Sequence, residues 1–224
     1  MQIQRIRQSG FTLIEMAIVM AVMAFLVGGL VAPLSAQREN QQREETRQML
    51  TAGTEALYGF AITNGRLPCP DTNNDGLEDN PCAVANNQVN NGRLPFATLG
   101  VRGIDPWNNR LFYSVNGAFT AAFVLNQNTA NPGTLRVIDG DLAAANCNIG
   151  TAADDVPAVL WSSAKNDFTA ITPVSADELE NSDADNCYIT RRYNTVAGNE
   201  FDDQLAWLSR NVLFNRMITA GTLP

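Results

Sequence analysis

Several groups of residues in this 224-residue chain have the types and spacing to do chemistry. Asp71-Thr72-Asn73-Asn74-Asp75-Gly76 sets oxygen donors at alternating positions and then a glycine for a sharp turn, the pattern of the first half of a calcium loop. Asp71, Asn73, Asp75 and Glu78 are the candidate Ca2+ ligands; the twelfth position is Cys82, which supplies no hard oxygen. A second acidic run, Glu180, Asp183 and Asp185, precedes Cys187. Solvated turn acids beside a disulfide give the same pattern, so each loop has that plainer reading too. Ser162-Ser163-Ala164-Lys165 has the Ser-x-x-Lys spacing of an acylating nucleophile, but no Lys-Thr-Gly accompanies it. Asp202 and Asp203 are adjacent, so on a helix they point to different faces and make a poor acid–base pair. The chain has no histidine, which removes Ser-His and Cys-His catalysis and His-ligated metals. No enzyme is expected.

The cysteines are Cys69, Cys82, Cys147 and Cys187. None forms a Cys-x-x-Cys pair, so zinc and redox motifs have no support. An even count behind an export segment fits two disulfides in an oxidising compartment. Four cysteines allow three pairings. Cys69–Cys82 with Cys147–Cys187 is favoured, because the first pair closes a short Pro/Asn/Asp-rich loop that little else would order, worth roughly 3 kcal/mol in the chain-entropy model.

One carboxylate stands in an unusual place. From Phe11 to Leu34 the only charge is Glu15, and Met16–Leu34 is 19 residues without one. As a helix that run nearly spans a hydrocarbon core of about 30 Å. An ordinary signal peptide has a shorter apolar region followed by a small-residue cleavage site, and the best such site, near Ser35-Ala36, has Leu34 where a small residue belongs. A plain signal anchor explains the length but not Glu15, which costs about 2.5–3.5 kcal/mol inside a membrane unless it has a partner. Basic residues flank both ends (Arg5 and Arg7; Arg38, Arg43 and Arg47), so charge asymmetry does not fix the orientation.

Gly10-Phe11-Thr12-Leu13-Ile14-Glu15 resembles the processing site of type IV prepilins and pseudopilins. The resemblance implies that a membrane prepilin peptidase cuts after Gly10, that Phe11 becomes the N-methylated N-terminus, and that Glu15 pairs with the N-terminal ammonium of a neighbouring subunit. A buried carboxylate and a buried ammonium are each costly alone and much less so together, so the pair favours assembly in one register. The stretch Leu67-Pro68-Cys69-Pro70-Asp71, then Leu94-Pro95-Phe96-Ala97-Thr98-Leu99-Gly100, then Asp105-Pro106-Trp107-Asn108-Asn109 is similar to the region after the first helix of pilin-like proteins. Asn108 stands where that turn often has glycine, and asparagine tolerates the left-handed conformation.

These residues need elements to position them. Residues 36–63 favour helix, with Met49, Ala52, Ala56 and Phe60, and Leu50, Leu57 and Ala61, at helical spacing. Asn64-Gly65 is a good stop. Pro33, after Gly28-Gly29, marks either the membrane exit or a zone that loosens on packing. Strands are expected at Arg110–Asn116, Phe119–Leu125, Thr134–Asp139, Pro157–Trp161 and Cys187–Tyr193. Phe201, Leu205, Leu208 and Val212 predict a short C-terminal helix, with a strand through Gln204–Leu208 as the rival. The fold class is α+β: a long N-terminal helix packed on an antiparallel β-sheet, pilin-like, with a short C-terminal helix. The boundaries expected are a leader at 1–10, a transmembrane and assembly segment at 11–34, an amphipathic segment at 35–64, and a periplasmic globular domain at 65–224.

Hydrophobic residues make up 45% of the chain and charged ones 17%, enough apolar material for a real core. The net charge of -8 disfavours nucleic acid as a partner. The expected function is a structural subunit of a type IV pilus or a type II secretion pseudopilus, minor rather than the main component, held first in the bacterial inner membrane. Its partners would be other pilins or pseudopilins and the prepilin peptidase. The alternative is a filament-tip binding module, an adhesin or a DNA-uptake pilin.

Overall fold

The computed structural model describes residues 10–82, 89–122, 135–141, 150–165 and 175–223, with the side chains of 27 and 29–34 also outside what is described. The chain divides into two compact units, Met1–Gln42 and Arg43–Pro224.

Helix α1 (Leu13–Asn64) runs unbroken through Pro33 and through both units. Gly65 closes it in the left-handed conformation at φ 68°, and its N–H donates to the Ala61 carbonyl at 2.8 Å. Glycine adopts that conformation at little cost, as the Asn64-Gly65 stop predicted. Among the described residues no helix is long and apolar enough to cross a membrane. Seven of the positions in the apolar run Met16–Leu34 have side chains outside the described set.

In the second unit, α1 packs on a four-stranded antiparallel sheet ordered β1 (Val89–Arg93), β2 (Phe112–Asn116), β5 (Ala158–Ser162) and β7 (Gln204–Trp207). A smaller sheet has the order β4 (Thr151–Val156), β3 (Leu135–Asp139) and β6 (Cys187–Thr190), and its β3–β6 pair is parallel. The short helices are α2 (Phe96–Leu99), α3 (Ala176–Ser182) and α4 (Arg210–Thr219).

The two-residue period of the strands divides the apolar side chains into two cores. Tyr113 and Val115 of β2 and Ala158 and Leu160 of β5 join Met49, Leu50, Leu57, Tyr58 and Ala61 of α1, with Leu213 and Met217 of α4. Val159 and Trp161 of β5 face the other way, to Leu135, Val137, Val156 and Tyr188. β5 is therefore buried at all five positions. Each fully buried Leu or Val contributes about 1.5–3 kcal/mol. A Cβ added at Gly53 would meet Leu160 Cδ2 at 2.6 Å, so the glycine sets how closely α1 approaches the sheet.

The expected strands at 110–116, 134–139 and 187–193 correspond to β2, β3 and β6, each shorter at one end, and that at 157–161 corresponds to β5, shifted on by one residue. The strand expected at Phe119–Leu125 does not start there: Gly117–Phe119 is a 3-10 turn, begun by Asn116, whose side-chain oxygen accepts from Ala118 N at 2.8 Å. Residues from 123 onward in that stretch lie outside the described ones. At the C-terminus the helix is present but later, at Arg210–Thr219, and the rival strand holds Gln204–Trp207 because β5 offers it an edge.

Candidate functional site

Thr12 and Glu15 build the start of α1. Glu15 N–H donates to Thr12 Oγ1 at 3.3 Å, and Thr12 N–H donates back to Glu15 Oε2 at 3.4 Å. This is the reciprocal Thr-x-x-Glu capping box, a signal present in the sequence and not read there. The bonds are long, and both residues are exposed, so the Glu15 carboxylate stays accessible to an outside cation. Around it Phe11, Leu13 and Ile14 are 80%, 93% and 70% exposed. A Cβ at Gly10 would meet nothing within 4 Å, and its φ is not left-handed. Nothing within the described chain requires glycine at that position.

The Asp71–Glu78 loop is organised from inside. Asp71 is fully buried; its carboxylate accepts from Asn74 N at 2.6 Å and Gly76 N at 2.8 Å. Asn73 Oδ1 accepts from Asp75 N at 2.9 Å, and Asp75 Oδ1 from Leu77 N at 2.7 Å. Glu78 takes both its oxygens to Arg66 at 2.8 Å and accepts from Cys69 N. Burial opposes the Glu78 charge, but the Arg66 and Cys69 hydrogen bonds outweigh it and hold the carboxyl below its ordinary range. The four expected ligands are thus turned to backbone amides and Arg66, and Asp71, Asp75 and Glu78 are not among the carboxylates that converge on one ligand sphere. The loop is closed by the expected Cys69–Cys82 disulfide, with Cα atoms 5.2 Å apart. Cys187 is also disulfide-bonded; Cys147, its expected partner, lies outside the described residues.

Two other acidic groups do converge: Glu180, Asp183 and Asp185, as the sequence suggested, and Glu178, Asp202 and Asp203. The second was missed because Glu178 and Asp202 are 24 residues apart and meet only when α3 packs beside β6 and the start of β7. Asp202 N–H donates to Glu178 Oε1 at 2.9 Å, and Asn181 Nδ2 donates to Asp203 Oδ2 at 2.7 Å. Asn181 also bridges to the Ile189 backbone, which fixes α3 on β6. Burial, reinforced by Glu178, pushes Asp202 up to about 7. Burial also pushes Asp203 well above the carboxylate range. Such an all-oxygen set can share protons or hold a hard divalent cation.

The remaining candidates are structural. Ser162 is fully buried and donates to Asp105 Oδ2 at 2.6 Å, while Asp105 Oδ1 accepts from Trp107 N and Asn109 N. Asn108 sits at φ 71°, the left-handed conformation expected of it in this turn.

Residues 5–31 match the family model for the prokaryotic N-terminal methylation motif. The chain is also similar to the type II secretion system core protein G of Aeromonas hydrophila, 30% identical over 81 residues. That match covers 36% of this chain and 57% of the relative's length. No solved structure matches.

Proposed function

From a chain that carries the prepilin methylation motif and is distantly related to a type II secretion pseudopilin, we propose a filament subunit of the inner membrane. A prepilin peptidase cleaves it after Gly10, Phe11 is methylated, and α1 inserts into a type IV pilus or type II secretion pseudopilus. Glu15 then neutralises the N-terminal ammonium of the neighbouring subunit. The observation that carries this reading is the carboxylate at the head of a helix whose large apolar residues from Phe11 to Leu26 are 47–93% exposed. Such a face needs cover from lipid or other helices, and its one charge needs a counter-charge. The gap at Gly10 fits a requirement imposed from outside the chain, as peptidase recognition would be. Part of the domain beyond α1 is given over to loops, which suits a minor subunit.

The test is the mass of the N-terminal peptide from cells with an active prepilin peptidase. A methylated Phe11 terminus in the natural chain and an uncut Met1 terminus in Gly10→Ala are expected. An intact Met1 terminus in the natural chain overturns the reading.

A further inference from the structure

Among the described residues, seven buried side-chain polar atoms have no hydrogen-bond partner, and four belong to residues that line one cavity: Arg43 Nη1, Arg191 Nε, Gln204 Nε2 and Asp203 Oδ1. The cavity, of about 260 Å³, lies between the globular part of α1 and the ends of β6 and β7. Buried polar groups are nearly always satisfied, so a cluster of unsatisfied ones around one space describes what should fill it. Three of the four are donors carried by guanidinium or amide groups; the fourth is a carboxyl oxygen, which accepts a hydrogen bond or shares a proton.

Charge narrows the choice. A third guanidinium, Arg47, also lines the cavity. Arg191 is already paired with Asp177, with Asp141 at 3.8 Å, and Arg47 has the exposed Glu44 at 3.8 Å. Arg43 has no salt-bridge partner among the described residues and lies over the Tyr193 ring at 3.7 Å from its centre. Asp202 feels the Arg43 charge only as a minor influence beside its own burial. A water cluster would satisfy the donors but leave the Arg43 charge poorly compensated; an oxyanion satisfies both, through the charge-assisted bonds that guanidinium groups make best.

We propose that this cavity is a binding site for a small oxyanion of the phosphate or sulfate kind, held by Arg43, Arg191 and Gln204. The site is independent of the filament reading, since every residue in it belongs to the globular unit.

The experiment is titration calorimetry on the purified full chain in detergent at pH 7, with inorganic phosphate and with sulfate as probes. Saturable binding of one phosphate, or one sulfate, per chain is expected. Arg43→Gln and Gln204→Leu should each weaken phosphate by about tenfold or more, with thermal melts confirming that both fold. No saturable binding of either anion at millimolar concentration overturns the proposal. So does binding that a folded Arg43→Gln or Gln204→Leu leaves unchanged.

Discussion

Along α1, apolar residues of the same kinds meet opposite surroundings. Between Phe11 and Leu26 the large ones are 47–93% exposed; at Leu50, Leu57 and Tyr58 they are at most 5% exposed. The second stretch is completed by its own sheet, with Gly53 cleared for Leu160. Among the described residues the first has only the Thr12–Glu15 box, which caps the helix but covers nothing. On the proposed reading, one continuous helix serves two kinds of partner. Substitutions in its first stretch should act on assembly with little effect on folding, and substitutions in its second stretch should do the reverse.

The largest contrast should come from Glu15→Gln. It removes the counter-charge proposed for a neighbouring N-terminus, so recovery of the chain in sheared filaments should fall by an order of magnitude or more, since each buried unpaired ammonium costs several kcal/mol. The melting temperature of the globular unit should not move. A normal filament yield would break the comparison at its first half.

Next is Leu57→Ala, which should cost about 2–5 kcal/mol in urea unfolding, while Leu13→Ala costs under about 0.5. Equal losses would mean that the two stretches of α1 are covered alike. Replacing Cys69 and Cys82 together by serine should cost about 3 kcal/mol through the closed loop, read in the same assay, and should leave filament recovery nearly intact at low temperature.

The acidic cluster makes the folded unit sensitive to pH. Asp202 is raised to about 7, and Asp203 is also raised, both above the unfolded value of about 3.9. The stability they contribute is complete below about pH 4 and is lost as pH rises through about 7, because only the folded state holds the protons. The melting midpoint should therefore be lower at pH 8 than at pH 5 once Glu178→Gln and Asp202→Asn controls are subtracted. Millimolar calcium should restore part of the loss at pH 8 and none at pH 5, with chelator reversing it. The smallest effect is expected from Glu55→Ala, which breaks the exposed pair with Arg216 joining α1 to α4 and should cost well under about 1 kcal/mol.

Much of this was legible before the structure. The capped α1 stop, strands β2, β3, β5 and β6, the Cys69–Cys82 bridge and the Asn108 turn follow from local signals. β1 did not, since Val89-Asn90-Asn91-Gly92-Arg93 reads as a turn and becomes a strand only by pairing with β2. β4 is exposed at its start and rich in Ala and Asp, so neither propensity nor periodicity marks it. α3 had a readable Ser175-x-x-Glu178 cap, with Ser175 Oγ accepting from Glu178 N, but seven residues carry too little period to notice.

By itself the sequence determined the N-terminal motif, because that motif is a matter of residue types and spacing on one continuous segment, residues 5–31. It also determined the α+β class, through periodicity. Only the tertiary structure decided which acids meet. It turned Asp71, Asp75 and Glu78 toward backbone amides and Arg66, and it brought Glu178 to Asp202 and Asp203, and Arg43 to Arg191 and Gln204. Those meetings join residues far apart in the chain, and no local pattern encodes where two surfaces close on each other.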